Sequence, residues 1–154
     1  MQELREFLAY AQKRLRLPAD SVTVCFVTDR EIARWNRAYR RKPGPTDVLS
    51  FPAYEHRLQS RPLGRLGRRT NQLASTASHP PRRSVTAAPP YLGDIAIAPA
   101  VARQNARRLG RGFGCEMRVL ILHGLLHLMG YDHETDTGQM ERRERSLRRQ
   151  LGLA

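Results

Sequence analysis

Long apolar runs are missing. Nowhere in the 154 residues do about 18 consecutive apolar side chains occur, so no transmembrane helix is expected. The N-terminal stretch "MQELREFLAYAQKRLRLPAD" is charged and amphipathic. It has neither the apolar segment nor the small-residue cleavage site of a secretory signal, which makes the cytoplasm the expected location. Cysteine is scarce: Cys25 and Cys115 stand far apart, which excludes a disulfide framework and a Cys-x-x-Cys knuckle. Both are expected to be inert, although Cys115 lies near the histidines discussed below. No phosphate-cradling GxxxxGK[ST] or GxGxxG loop is present. Lysine is almost absent, with Lys13 and Lys42 alone among 27 basic residues. Acids are few as well, 14 in all, leaving a net charge of +13. That balance implies a polyanionic partner, nucleic acid or an acidic membrane surface. Arginine suits phosphate because its planar fork bonds two oxygens at once. An arginine-rich composition that merely solvates the surface is the alternative.

What remains is enough for one folded domain, with 40% apolar residues. Leu4, Phe7, Leu8, Ala11 and Leu15 recur at helical spacing over residues 2–16. The β-branched run "SVTVCFVT" at 21–28 reads as a strand. Thr28 followed three residues later by Glu31 forms a capping box, so a helix starts there, with Ile32, Trp35 and Tyr39 on its core face. Further strands are expected at 47–51 and 91–99. Helices are expected from Ala100 to Gly110, from Cys115 to Gly130, and from Thr135 to about Leu151. "GRGFG" at 110–114 reads as a turn between helices. Residues 53–90 hold five prolines and seven arginines against one acid, with no period. They read as a disordered basic insertion, either an RNA-attracting tether or a tolerated loop.

The chemistry is concentrated in "HGLLHLMGYDH" at 123–133. His123 and His127 are one helical turn apart and share a face. Gly130 can end the helix and let the chain turn, so that His133 swings back as a third ligand. Three imidazoles leave one tetrahedral position open, the arrangement of a catalytic zinc, which lowers the pKa of water to about 7. His56 and His79 match no such pattern. The spacing equals that of HExxHxxGxxH zinc proteases, except that Gly124 stands where their glutamate base stands. The base must come from elsewhere, or the substrate must assist. A phosphodiester allows both, with an arginine to hold the developing charge.

Together with "NRAYRRKPGPTDVLSFP" at 36–52 and "LGDIAI" at 92–97, the histidine motif resembles the YbeY family of zinc-dependent endoribonucleases. Met140 and Glu144 also fit that family's tail pattern. The resemblance implies an α/β fold of the α+β type: a single domain over 1–154, about four strands in a mixed sheet, and about five helices. It implies one Zn2+ held by His123, His127 and His133, and a catalytic role for Arg40 in holding RNA phosphate near the metal. Expected partners are ribosomal RNA and the ribosome or its small subunit, with no membrane and no DNA. The implied role is single-strand cleavage in rRNA processing, including 3′-end maturation of the small-subunit rRNA, and ribosome quality control.

Other residues near the motifs carry two readings each. Asp94 either orients a histidine or is an ordinary turn carboxylate. Asp132 and Glu134 flank His133 and are candidate bases by proximity. Thr46, Asp47 and Ser50 are candidates to shape the cleft, and Arg41 and Lys42 extend its basic edge. Tyr39, Tyr54 and Tyr91 could stack on bases or pack. A non-catalytic, zinc-containing ribosome-assembly factor and a zinc metalloprotease are the competing functional readings. The insertion at 53–90 is the departure from the family pattern.

Overall fold

Local signals set the elements in this computed structural model, which describes residues 1–53 and 91–153. Tyr54, His56, His79 and the insertion beyond Ala53 fall outside the described residues. Helix α1 spans Gln2–Arg14, and strand β1 spans Val22–Phe26. Helix α2, Asp29–Arg40, begins with the expected capping box: Thr28 Oγ1 accepts from the Glu31 N–H, and the Glu31 carboxylate accepts from the Thr28 N–H at 2.9 Å. Strands β2 (Val48–Pro52) and β3 (Gly93–Ile97) follow, then α3 (Pro99–Arg108), α4 (Phe113–Leu128) and α5 (Gln139–Gln150).

The sheet runs β1-β3-β2, with β1 parallel and β2 antiparallel to the central β3. Among the described residues it has three strands rather than the four expected; the chain's own strand signals numbered three, at 21–28, 47–51 and 91–99. The sheet's two faces are covered differently. Val22, Val24, Phe26, Ile95, Ile97 and Val48 face the main core, built from α1, α3, α4 and α5. Leu49 and Phe51, one residue out of phase on β2, face Ile32 and Trp35 of α2. Tyr39, expected in that core, overhangs the end of α2 and is 70% exposed, with its ring edge-on to Phe51 at 5.2 Å.

Helix α4 is apolar nearly all round because it is buried nearly all round; Ile121, Leu122, Leu125 and Leu126 are each at most 1% exposed. Each such side chain contributes about 1.5–3 kcal/mol on burial. The last helix starts later than expected, at Gln139 rather than Thr135. The cause is Asp136, whose carboxylate accepts from the N–H groups of Gly138, Gln139 and Met140 and so stands in for the missing first-turn partners. Among the described residues, no helix is long and apolar enough to cross a membrane.

Candidate metal centre

The end of α4 carries His123 and His127, stacked one turn apart with ring centroids 4.7 Å apart and Nε2 atoms 3.1 Å apart. Helix α4 then closes on Gly130, at φ +91, as the Tyr131 N–H reaches back to the Leu126 carbonyl. That left-handed residue reverses the chain as the sequence predicts, and His133 returns to within 5.2 Å of the His127 ring. The ligand nitrogens of all three imidazoles lie within 4.8 Å of one another, so the group could hold a metal ion. The donor set fits: two nitrogens on one tetrahedral zinc sit about 3.3 Å apart, given Zn–N bonds of about 2.0–2.1 Å. Burial pushes the His127 pKa down to about 4, helped by the neighbouring His123 and His133. At neutral pH its ring is therefore uncharged and its lone pair is available.

One contact was not foreseen. Glu144 of α5 is 9% exposed, and its Oε2 lies 2.9 Å from Nδ1 of His123. Burial raises its pKa, but hydrogen bonding to His123 and the charges of His123 and Arg148 outweigh this and hold the carboxyl below its usual range. Ionised, it accepts a hydrogen bond from Nδ1–H and leaves the lone pair of His123 Nε2 facing the other two imidazoles. The signal was present in the sequence. Glu144 shares the buried face of its helix with Met140 and Leu147, four before and three after it, and a lone charge on such a face needs a partner. Asp94, the alternative orienting group, is out of reach. It lies on β3 out of phase with Ile95, hence on the opposite face of the sheet from α4, and accepts from the Tyr91 hydroxyl at 2.6 Å. Cys115 sits eight residues before His123, about 12 Å along the helix, and takes no part.

Gly124 has a packing reason. A Cβ there would stand 2.8 Å from both Cδ1 and Cγ2 of Ile95. The helix meets the sheet at this residue, and its carbonyl accepts from Ser50 Oγ at 3.3 Å. The position that carries the protease base is therefore occupied by close helix–sheet packing against Ile95.

In front of the histidines lies a cleft of about 780 Å³, walled by β2 and the 130–134 loop. Arg40 stands on its rim with 34% of its side chain exposed, and donates to Glu134 at 2.6 Å. Lys42 meets the same carboxylate oxygen at 2.5 Å. The other acids on the cleft also have partners. Asp47 accepts from Asn105 at 2.9 Å, and Asp132 accepts from the Thr135 hydroxyl and the Glu134 N–H. Thr46, Asp47 and Ser50 line the cleft. Tyr39 lines it too, while the Tyr91 hydroxyl is held between Asp94 and Thr23.

The sequence model of the family described as Endoribonuclease YbeY matches residues 1–152. A protein of that name from Acidothermus cellulolyticus is 35% identical over 139 residues, covering 90% of this chain and 74% of its own length. Another from Koribacter versatilis is 36% identical over 152 residues, covering 99% of this chain and 78% of its own. The solution structure of a Thermotoga maritima protein superposes with a TM-score of 0.51 at 24% identity, covering 97% of this chain and 79% of that one, a likeness of fold.

Proposed function

The chain belongs to the YbeY endoribonuclease family, and from that membership we propose that it is a zinc-dependent endoribonuclease. It cuts single-stranded ribosomal RNA in the cytoplasm, in 3′-end maturation of the small-subunit rRNA and in ribosome quality control. The observation that carries the reading is the convergence of His123, His127 and His133 at the floor of a cleft whose rim bears Arg40.

The three imidazoles would hold one Zn2+. When bound, zinc supplies a Lewis acid and makes water a competent nucleophile near neutral pH. The remaining work falls to the chain. Glu144 holds His123 in the tautomer that presents Nε2. Burial keeps His127 uncharged. The guanidinium of Arg40 would fork onto the non-bridging phosphate oxygens, exchanging Glu134 for substrate as its anionic partner. The acids bordering the cleft are committed to Asn105, Thr135, Arg40 and Lys42, and Gly124 is packed on Ile95. Neither feature suits a protease that depends on a free glutamate beside its zinc.

The test combines metal analysis with cleavage of single-stranded rRNA. Wild type should hold one zinc and cut. His127→Ala should lose both. Arg40→Ala should keep its zinc and cut about 10²–10³-fold more slowly, the usual cost of removing one donor to a developing oxyanion. Protein that holds stoichiometric zinc yet leaves RNA intact, with His127→Ala indistinguishable from wild type, overturns the reading. Chelator-sensitive casein cleavage would restore the protease.

A further inference from the structure

Charge on the surface helices is arranged in two ways. On α5 two of the five arginines are matched, Arg145 with Glu141 and Arg148 with Glu144, each across one turn, and the unmatched Arg142, Arg143 and Arg149 do not line the cleft. On α2 the outward arginines are unmatched. Arg30, Arg34, Arg37 and Arg41 follow one another at intervals of four, three and four residues, all exposed. At 100° per residue Arg30, Arg34 and Arg37 fall within a stripe about 60° wide, opposite the face that buries Ile32, and Arg41 follows at the left-handed C-cap. None is ion-paired with a carboxylate among the described residues. Of the two acids on the same helix, Glu31 is taken up by the capping box with Thr28, and Asp29 in the first turn makes no ion pair among the described residues. The stripe even sets like charges one turn apart, Arg30 over Arg34, which weakens a helix by about 0.2–0.5 kcal/mol. A face that only needed to be wet would not require this.

The stripe also leads somewhere. It runs about 16 Å from Arg30 to Arg41 and ends where Arg40 and the exposed Tyr39 line the cleft. A membrane surface is the wrong occupant. An interfacial helix needs an apolar face to insert, and the apolar face of α2 is already spent on the sheet.

We propose that the outer face of α2 is a second phosphate-binding surface, on which Arg30, Arg34, Arg37 and Arg41 hold the backbone of a single RNA strand and deliver it to the cleft at Arg40. This rests on the ribonuclease reading above. Affinity for a strand that extends beyond the cleft then carries charge contacts that a strand filling the cleft alone does not.

The experiment measures binding of full-length, zinc-loaded protein to two single-stranded RNAs across a salt series. One is short enough to fill only the cleft, and the other extends past it. For the longer RNA, Arg30→Gln/Arg34→Gln/Arg37→Gln should lower the slope of log affinity against log salt by about 2, at about 0.7 per phosphate contact in single strands. The short RNA should show no comparable change. The charge-conserving triple of Arg to Lys should keep the wild-type slope. A charge-matched control across the sheet, Arg5→Gln/Lys13→Gln/Arg143→Gln, should move the slope by less than 1. Equal losses in the two Gln triples, or an unchanged slope in the α2 triple, overturn the track alone. So does binding to anionic lipid vesicles that the α2 triple abolishes while its RNA slope stays put. Wild type that binds neither RNA overturns the ribonuclease reading and the track with it.

Discussion

Glu144 Oε2 lies 2.9 Å from Nδ1 of His123, and its other oxygen is engaged by Arg148, so one buried carboxylate ties α5 to the histidine group. An ionised acceptor there fixes the ring's tautomer and raises its basicity. Glu144→Gln keeps the shape and removes the charge. It should weaken zinc binding by about 10–100-fold, the usual effect of losing such a partner, while the fold survives. Competition with a chromogenic chelator reads this directly. Unchanged zinc affinity would reduce Glu144 to a helix-docking residue.

Gly124 should resist even the smallest side chain. Gly124→Ala gains about 1 kcal/mol of helix propensity but forces a methyl against Ile95, and overpacking costs about 1–3 kcal/mol. The expected result is a net loss of up to about 2 kcal/mol in denaturant unfolding. In an Ile95→Ala background the same substitution should become neutral or stabilising, a non-additivity that a double-mutant cycle measures. Additive effects would mean that the helix and sheet are not in contact at this point.

Asp136 gives the start of α5 a pH dependence. Hydrogen bonds from the N–H groups of Met140, Gly138 and Gln139 hold its carboxyl below the ordinary aspartate range. A carboxylate with a lowered folded pKa contributes stability that is present above its unfolded value of about 3.9 and is lost as pH falls through the folded one. Asp136→Asn should therefore melt at a lower temperature than wild type at pH 7, and the gap should close below about pH 4. A gap that persists in acid would assign the effect to shape rather than charge.

Much of this could be read from the chain because it is decided within a few residues. The capping box at Thr28 and Glu31, the i, i+4 pair of His123 and His127, and the reversal at Gly130 each follow from local geometry. What the sequence did not yield depends on elements distant along the chain. Periodicity puts Tyr39 on the core face of α2, but not where Phe51 ends beneath it. It separates Asp94 from Ile95 by face, but not which face α4 covers. The role of Glu144 depends on α5 docking 21 residues after His123. The expected fourth strand came from family likeness and not from a run of residues, and the described residues contain three.

The fit of Ile95 against Gly124 has a bearing on protein engineering and on evolutionary history. On paper, one codon separates this histidine cage from the peptide-cutting version, and the change is Gly124→Glu. In three dimensions the two are not neighbours. The new side chain would first have to displace Ile95 of the central strand, so the exchange is expected to destabilise the fold unless β3 changes with it. A laboratory selection for proteolysis starting from this scaffold should enrich changes in β3 before it enriches any at Gly124. The divide between cutting peptides and cutting RNA is kept here by the thickness of one isoleucine.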